Sequence, residues 1–162
     1  MPTRFKAHSN PAWAVKADFV IRGRIVDSTG ATVGWEQLWA RQCQQEIFEI
    51  CCIPFFIYDI ALGDIVETSQ IEGSKYAISR VVSDGGHSTF RAWLGEPGMD
   101  RFKSSLEAKI KEIGLLFEWH GSLVAIDAPD MANAEKIRRY LYSEEKVNHL
   151  VMEEGKCPTR AD

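Results

Sequence analysis

The spacing of apolar residues changes near residue 98, and that change limits the folds open to this chain. Downstream, Phe102, Leu106, Ile110 and Ile113 recur at spacings of four, four and three. That is one helical stripe, and Gly114 stands where a helix stop is expected. Upstream, from about 18 to 94, the pattern alternates instead. In "DFVIRGRIV", Phe19, Ile21 and Ile25 fall on one face, and Arg22 and Arg24 on the other. "STGATVG" supplies turn residues, and "EQLWARQC" and "EIFEICC" read as two further short strands. "IPFFIYDIALGD" is apolar but opens on a proline, so it reads as a loop or edge segment. "DIVETSQIEG" and "KYAISRVVS" pair across Glu72-Gly73-Ser74, and "STFRAWL" closes the set.

Beyond the first helix, "LLFEW" and "SLVAID" form a hairpin across His120-Gly121. A second helix follows, with Asp130 as its N-cap and Ala134, Ile137 and Leu141 along one face. "HLVMEE" is a last strand. Residues 87–154 therefore read β-α-β-β-α-β, with helices near 99–113 and 131–144. The expected fold is α+β. A β-rich half at 18–86, a small barrel or curled antiparallel sheet, precedes a ferredoxin-like half at 87–154. Residues 1–17 read as a flexible arm and 155–162 as a tail.

"IPFFIYDIALGDIVE" followed by "VVSDGGHSTFRAWL" resembles a bacterial family known as domain of unknown function 4265. The matching positions are Ile53, Pro54, Phe55 and Phe56, then Leu62, Gly63, Asp64 and Val66, then Gly86, Ser88, Thr89 and Arg91. The resemblance spans about residues 18–154, and it implies a fold without implying an activity.

"SDGGHST" places Asp84, His87, Ser88 and Thr89 close together in the chain. A Ser-His pair is not expected there, because neighbouring strand residues face opposite sides. Asp84-Gly85-Gly86 reads as a hairpin turn joining "KYAISRVVS" to "STFRAWL", with a positive φ at one glycine. Gly63-Asp64 reads as a turn whose carboxylate accepts backbone N–H bonds. His8, His87, His120 and His149 share no helix face, and no Cys-x-x-Cys occurs, so no metal or other cofactor is expected. Cys51 and Cys52 read as buried thiols, in keeping with a reducing cytoplasm.

A net charge of −4 argues against nucleic acid as the main partner, and no apolar run reaches membrane-spanning length. With no catalytic constellation in view, the first expectation is a non-catalytic cytoplasmic protein of the immunity or antitoxin type, which blocks a toxin by covering it. Asp59, Glu67, Glu72, His87 and Trp13 are its candidate partner-binding residues. The alternative is a small-molecule-binding domain or small enzyme with its site between the halves, around Asp64, His87 and Arg91. A homodimer is the third reading.

Overall fold

The computed structural model describes residues 5–95 and 100–157. It is a mixed α and β structure, rich in strands, with two sheets and two helices. The first sheet contains β1 (Phe5–Lys6), β2 (Phe19–Val26), β3 (Thr32–Gln44), β4 (Ile47–Ile50), β5 (Ile65–Ile71) and β6 (Ser74–Ser83). Its order is β1-β3-β2-β6-β5-β4, and an added β3–β4 pairing closes it on itself. The closure follows from the length of β3. Its first part pairs with β2 as far as Ala40, and from Ala40 onward it pairs with β4. One parallel contact, Arg22 with Ala77, joins β2 to β6. Ile21, Leu38, Phe48, Ile50 and Val66 fill the interior and are completely buried.

The second sheet contains β7 (Ser88–Trp93), β8 (Leu116–His120), β9 (Leu123–Ala128) and β10 (Val151–Lys156). Its order is β10-β7-β9-β8, antiparallel throughout. Helices α1 (Asp100–Ile113) and α2 (Met131–Lys146) connect the strands in the β-α-β-β-α-β succession expected from the sequence. Leu106 and Ile110 of α1, and Ala134, Ile137 and Leu141 of α2, pack on Phe90, Val124 and Ile126 of the sheet. Full burial of each large side chain there contributes about 1.5–3 kcal/mol. Asp130 caps α2, its carboxylate accepting the Asn133 N–H at 2.8 Å. No helix among the described residues is long and apolar enough to cross a membrane.

Pleating sends alternate residues of β7 to opposite faces. Phe90 and Ala92 join the helices, while Thr89, Arg91 and Trp93 turn to the other face. A strand-free loop at 51–64 covers that second face. Its Ile53, Phe55 and Leu62 pack with Ala125 of β9, and Trp13 and Leu123 flank them. The loop assignment for "IPFFIYDIALGD" agrees with this, and the proline at 54 is one reason it pairs with no strand.

Three expectations are corrected. Asp84-Gly85-Gly86 is not a hairpin turn, because β6 pairs with β5 and β2 whereas β7 pairs with β9 and β10. The same turn chemistry instead carries the chain from one sheet to the other. The Asp84 carboxylate accepts the Gly86 N–H at 2.7 Å, and Gly86 has φ +83°. The expected arm is tied down at particular positions of its described part. β1 pairs in parallel with β3, and His8 is buried. The tail begins later than expected, since Gly155 and Lys156 belong to β10 and are buried. The first four residues of the expected arm, and residues 158–162 of the tail, lie outside the described residues.

Candidate functional site

The polar side chains of interest share the surface between the covering loop and the second sheet. At one end, Lys156 of β10 reaches Asp64 at the end of the loop, with Nζ 2.8 and 2.7 Å from its two oxygens, and lies 3.1 Å from Asp84. Asp64 is completely buried. It also accepts the N–H groups of Ala61 at 2.8 Å and Gly85 at 2.9 Å. Gly85 must lack a side chain here, because a Cβ would stand 2.6 Å from the carbonyl oxygen of Gly63.

His87 sits beside this group. Its Nδ1–H donates to both oxygens of Asp127 on β9, at 2.8 and 2.9 Å. The Asp127 hydrogen bond raises the pKa of His87, against the opposing effect of burial. Burial raises the pKa of Asp127, against the pull of His87. The pair has the form of a carboxylate orienting an imidazole. Ser88 supplies no nucleophile to it. Its Oγ is buried without a hydrogen-bond partner, and the pleat turns it from the side that His87 occupies.

In the middle, His8 bridges the two halves. Nε2 is 2.7 Å from Glu36 of β3, and Nδ1 is 2.8 Å from Glu118 of β8. Glu36 accepts the N–H groups of Phe55, Phe56 and Ile57, and Glu118 accepts those of Ile53 and Ala12. Phe55 stacks on the imidazole at 4.3 Å. The two carboxyl groups thereby fix the backbone of the covering loop. Burial works against a charge on His8, but Cys52, Glu118 and Glu36 around it prevail, and its pKa is strongly raised.

At the other end, a cleft of about 350 Å³ opens between Phe55, Phe56 and Tyr58 of the loop and Trp93, Leu123 and Val151 of the sheet. Arg91 and Glu153 also line it. The Arg91 side chain is completely buried. Its Nε donates to Glu153 at 2.6 Å, and its Nη1 donates to the carbonyls of Pro54 at 3.1 Å and Ile57 at 2.8 Å. Nη2 has no hydrogen-bond partner. Tyr58 lies over the guanidinium at 4.8 Å, and its hydroxyl donates to Glu153 at 2.7 Å.

The structure gathers some sequence candidates and separates others. Asp64 and His87 stand at one end of this surface with Trp13, whose ring meets that of His87 edge-on at 5.9 Å. Arg91 is near the other end, in the cleft. Asp59 and Glu72 are exposed, each with a positive φ, and half-buried Glu67 forms an ion pair with Arg80. The accepted N–H bonds expected of Asp64 are present, but its partner Lys156 was not foreseen. His8, Glu36, Glu118, Asp127, Tyr58 and Glu153 were also missed. One sequence signal was available: Glu118 in "LFEWH" and Arg91 in "STFRAWL" are charges inside short apolar strands. Among the described residues, no three His, Cys, Asp or Glu side chains cluster in a way that could hold a metal ion.

A family profile described as "Domain of unknown function (DUF4265)" matches residues 36–151. A solved structure titled "Novel crystal structure of a hypothetical protein from Neisseria gonorrhoeae" is similar in fold, with a TM-score of 0.68 at 19% identity. The similarity covers 84% of this chain and 92% of that one. No curated protein matches the chain.

Proposed function

The chain belongs to the DUF4265 family, and from that premise we propose that it is a non-catalytic domain that binds a small molecule in the cleft beside Arg91. One observation carries the reading. A cleft of about 350 Å³ is walled by Phe55, Phe56, Tyr58 and Trp93, with the Arg91–Glu153 ion pair among its lining. Small-molecule sites are concave, mostly apolar and aromatic, with a few placed polar groups, and this cleft has that make-up. The loop that forms one wall is fixed from behind by Glu36 and Glu118, which makes the opening a pre-formed one. A binding role suits His87 better than a catalytic one, because the adjacent hydroxyl of Ser88 faces away from it. In finer terms we read residues 88–156 as ferredoxin-like, on the strand order, and the first sheet as a small barrel, on its closing pair. We place the protein in the cytoplasm, where the exposed thiols of Cys43 and Cys157 stay reduced.

The test uses Nile red, a neutral dye whose fluorescence rises in apolar surroundings. It should bind the wild-type protein at one saturable site, and Leu123→Trp, which fills the cleft, should abolish binding. Equal binding to both proteins would overturn the reading. The other reading, occlusion of a toxin through Asp59, Glu67 and Glu72, draws on exposed acidic charge. Glu67 is already paired with Arg80, so this surface has less free charge to offer.

A further inference from the structure

We infer that the outer edge of β10 is a docking site for an extended segment of a partner protein. That segment adds to the second sheet as an antiparallel strand and carries a basic side chain for Glu145. The inference stands apart from the small-molecule reading, because it rests on backbone groups along β10 and not on what fills the cleft.

β10 is an end strand of its sheet, and among the described residues no strand pairs with its outer side. In an antiparallel ladder, successive residues turn their N–H and C=O groups alternately inward to the neighbour and outward. The Met152 N–H donates to the Glu145 carboxylate of α2 at 2.7 Å, so Met152 is an outward position. Glu154, two residues on, is the next one, and the register with β7 shifts only after it. Beyond that point the edge is closed, because the Asp59 N–H donates to the Gly155 carbonyl at 2.9 Å. The open stretch is therefore 151–154. A strand that sets one residue opposite Met152 and another opposite Glu154 exchanges two hydrogen bonds with each. One of these replaces the bond from Met152 to Glu145.

Hollows flank this edge on both faces. Met152 and Glu154 pair with Ala92 and Phe90, and so face the helices. A groove of about 410 Å³ lies there, between Arg138, Arg139 and Tyr142 of α2 and the residues of β10. Val151 and Glu153 face the covering loop, at the cleft between Tyr58 and Trp93. Alternate side chains of an added strand therefore fall into one hollow or the other. Backbone bonding to an open edge, with pockets for alternate side chains, is how strand addition recognises extended peptides.

Charge selects the occupant. Arg138 pairs with Glu154 and Glu135, Arg139 with Glu135, and Arg91 with Glu153. Half-buried Glu145 has no ion-pair partner among the described residues, and its bond is to Met152. Once the incoming backbone takes that N–H, a lysine or arginine opposite Met152 gives Glu145 a counter-charge. A second copy of β10 does not suit the edge. Pairing centred on Glu153 or Glu154 sets like carboxylates opposite each other, and pairing centred on Met152 brings two Glu145 side chains together.

Fluorescence anisotropy with the labelled peptide Val-Thr-Val-Lys-Val tests this. Laid antiparallel, its lysine falls opposite Met152 and its threonine opposite Glu154. It should bind the full chain at one saturable site and slow hydrogen exchange at the Glu154 amide. The same peptide N-methylated at the lysine amide keeps every side chain but loses an edge hydrogen bond, and should bind at least tenfold more weakly. Val-Thr-Val-Glu-Val should also bind at least tenfold more weakly to wild type, and Glu145→Lys should reverse that preference. Circular dichroism melting would establish that Glu145→Lys folds, and the N-methylated peptide decides on the wild-type protein alone. No binding by the lysine peptide would overturn the inference, as would equal binding of its N-methylated form or an unchanged preference in folded Glu145→Lys. A dimer in sedimentation that the peptide dissociates would give the edge to a second copy and overturn it too. Nile red binding without peptide binding would sink this inference and leave the cleft reading standing.

Discussion

His8 and Glu118 are 110 residues apart in the chain and 2.8 Å apart in space. Glu36 holds the other ring nitrogen at 2.7 Å. One imidazole thus joins β3 of the first sheet to β8 of the second, and the carboxyl groups it bridges hold the N–H groups of the covering loop.

Removing that imidazole should be costly. His8→Ala leaves two buried acidic groups facing each other and should destabilise the protein by about 3–5 kcal/mol. Lys16→Ala, which removes the half-exposed partner of Glu49, should cost no more than about 1 kcal/mol. Urea unfolding of both variants checks the contrast, and equal losses would contradict it.

The same group sets a pH dependence. The folded pKa of His8 is raised above its ordinary value of 6.5, so the folded state binds a proton that the unfolded state releases. Its contribution is complete below about pH 6.5 and declines as pH rises towards the folded pKa. The stability difference between wild type and His8→Gln should therefore shrink above neutrality, by at most about 1.4 kcal/mol per pH unit. A difference constant from pH 6 to pH 9 would show that His8 is not charged in the folded state.

Two neighbouring glycines should fail for different reasons. At Gly85 a Cβ would meet the Gly63 carbonyl oxygen at 2.6 Å, so Gly85→Ala forces backbone apart and should cost about 1–3 kcal/mol. At Gly86 a Cβ meets nothing within 4 Å, and only the positive φ opposes it. Gly86→Ala should cost about 1 kcal/mol. Denaturant midpoints would order the two, and the reverse order would refute the packing argument.

Thiol reactivity should divide the cysteines in half. Cys43 and Cys157 are exposed, whereas Cys51 and Cys52 are buried. Burial pushes the Cys51 thiol up to about 12, which leaves almost no thiolate at neutral pH. Ellman's reagent should therefore titrate two thiols in the folded protein and four after unfolding. Four fast thiols in the native state would count against this core.

The parts of the fold legible in sequence are those written in neighbouring residues. Leu106 with Ile110, and Asp130 before Asn133, identify their helices within a single turn. Asp64 was legible as an acceptor for nearby N–H groups, because Ala61 is three residues away. Lys156, its ion-pair partner, is 92 residues away, and no local pattern links them. The same holds for Arg91 and Glu153, 62 residues apart. The hairpin at 83–88 was misread for another reason. Asp-Gly-Gly reverses a chain equally well within a sheet and between two sheets, and only the pairing partners of β6 and β7 distinguish these.

The bridge through His8 also orders events during synthesis. A chain leaving the ribosome presents β1 to β6 first, and the first sheet has the partners it needs to close. By then Glu36 can bind His8 and the amides of Phe55, Phe56 and Ile57. The amides of Ile53 and Ala12 must still wait in water, because their acceptor is Glu118. The earlier half of the nascent chain can therefore take its shape alone, but it dries and locks only when β8 arrives.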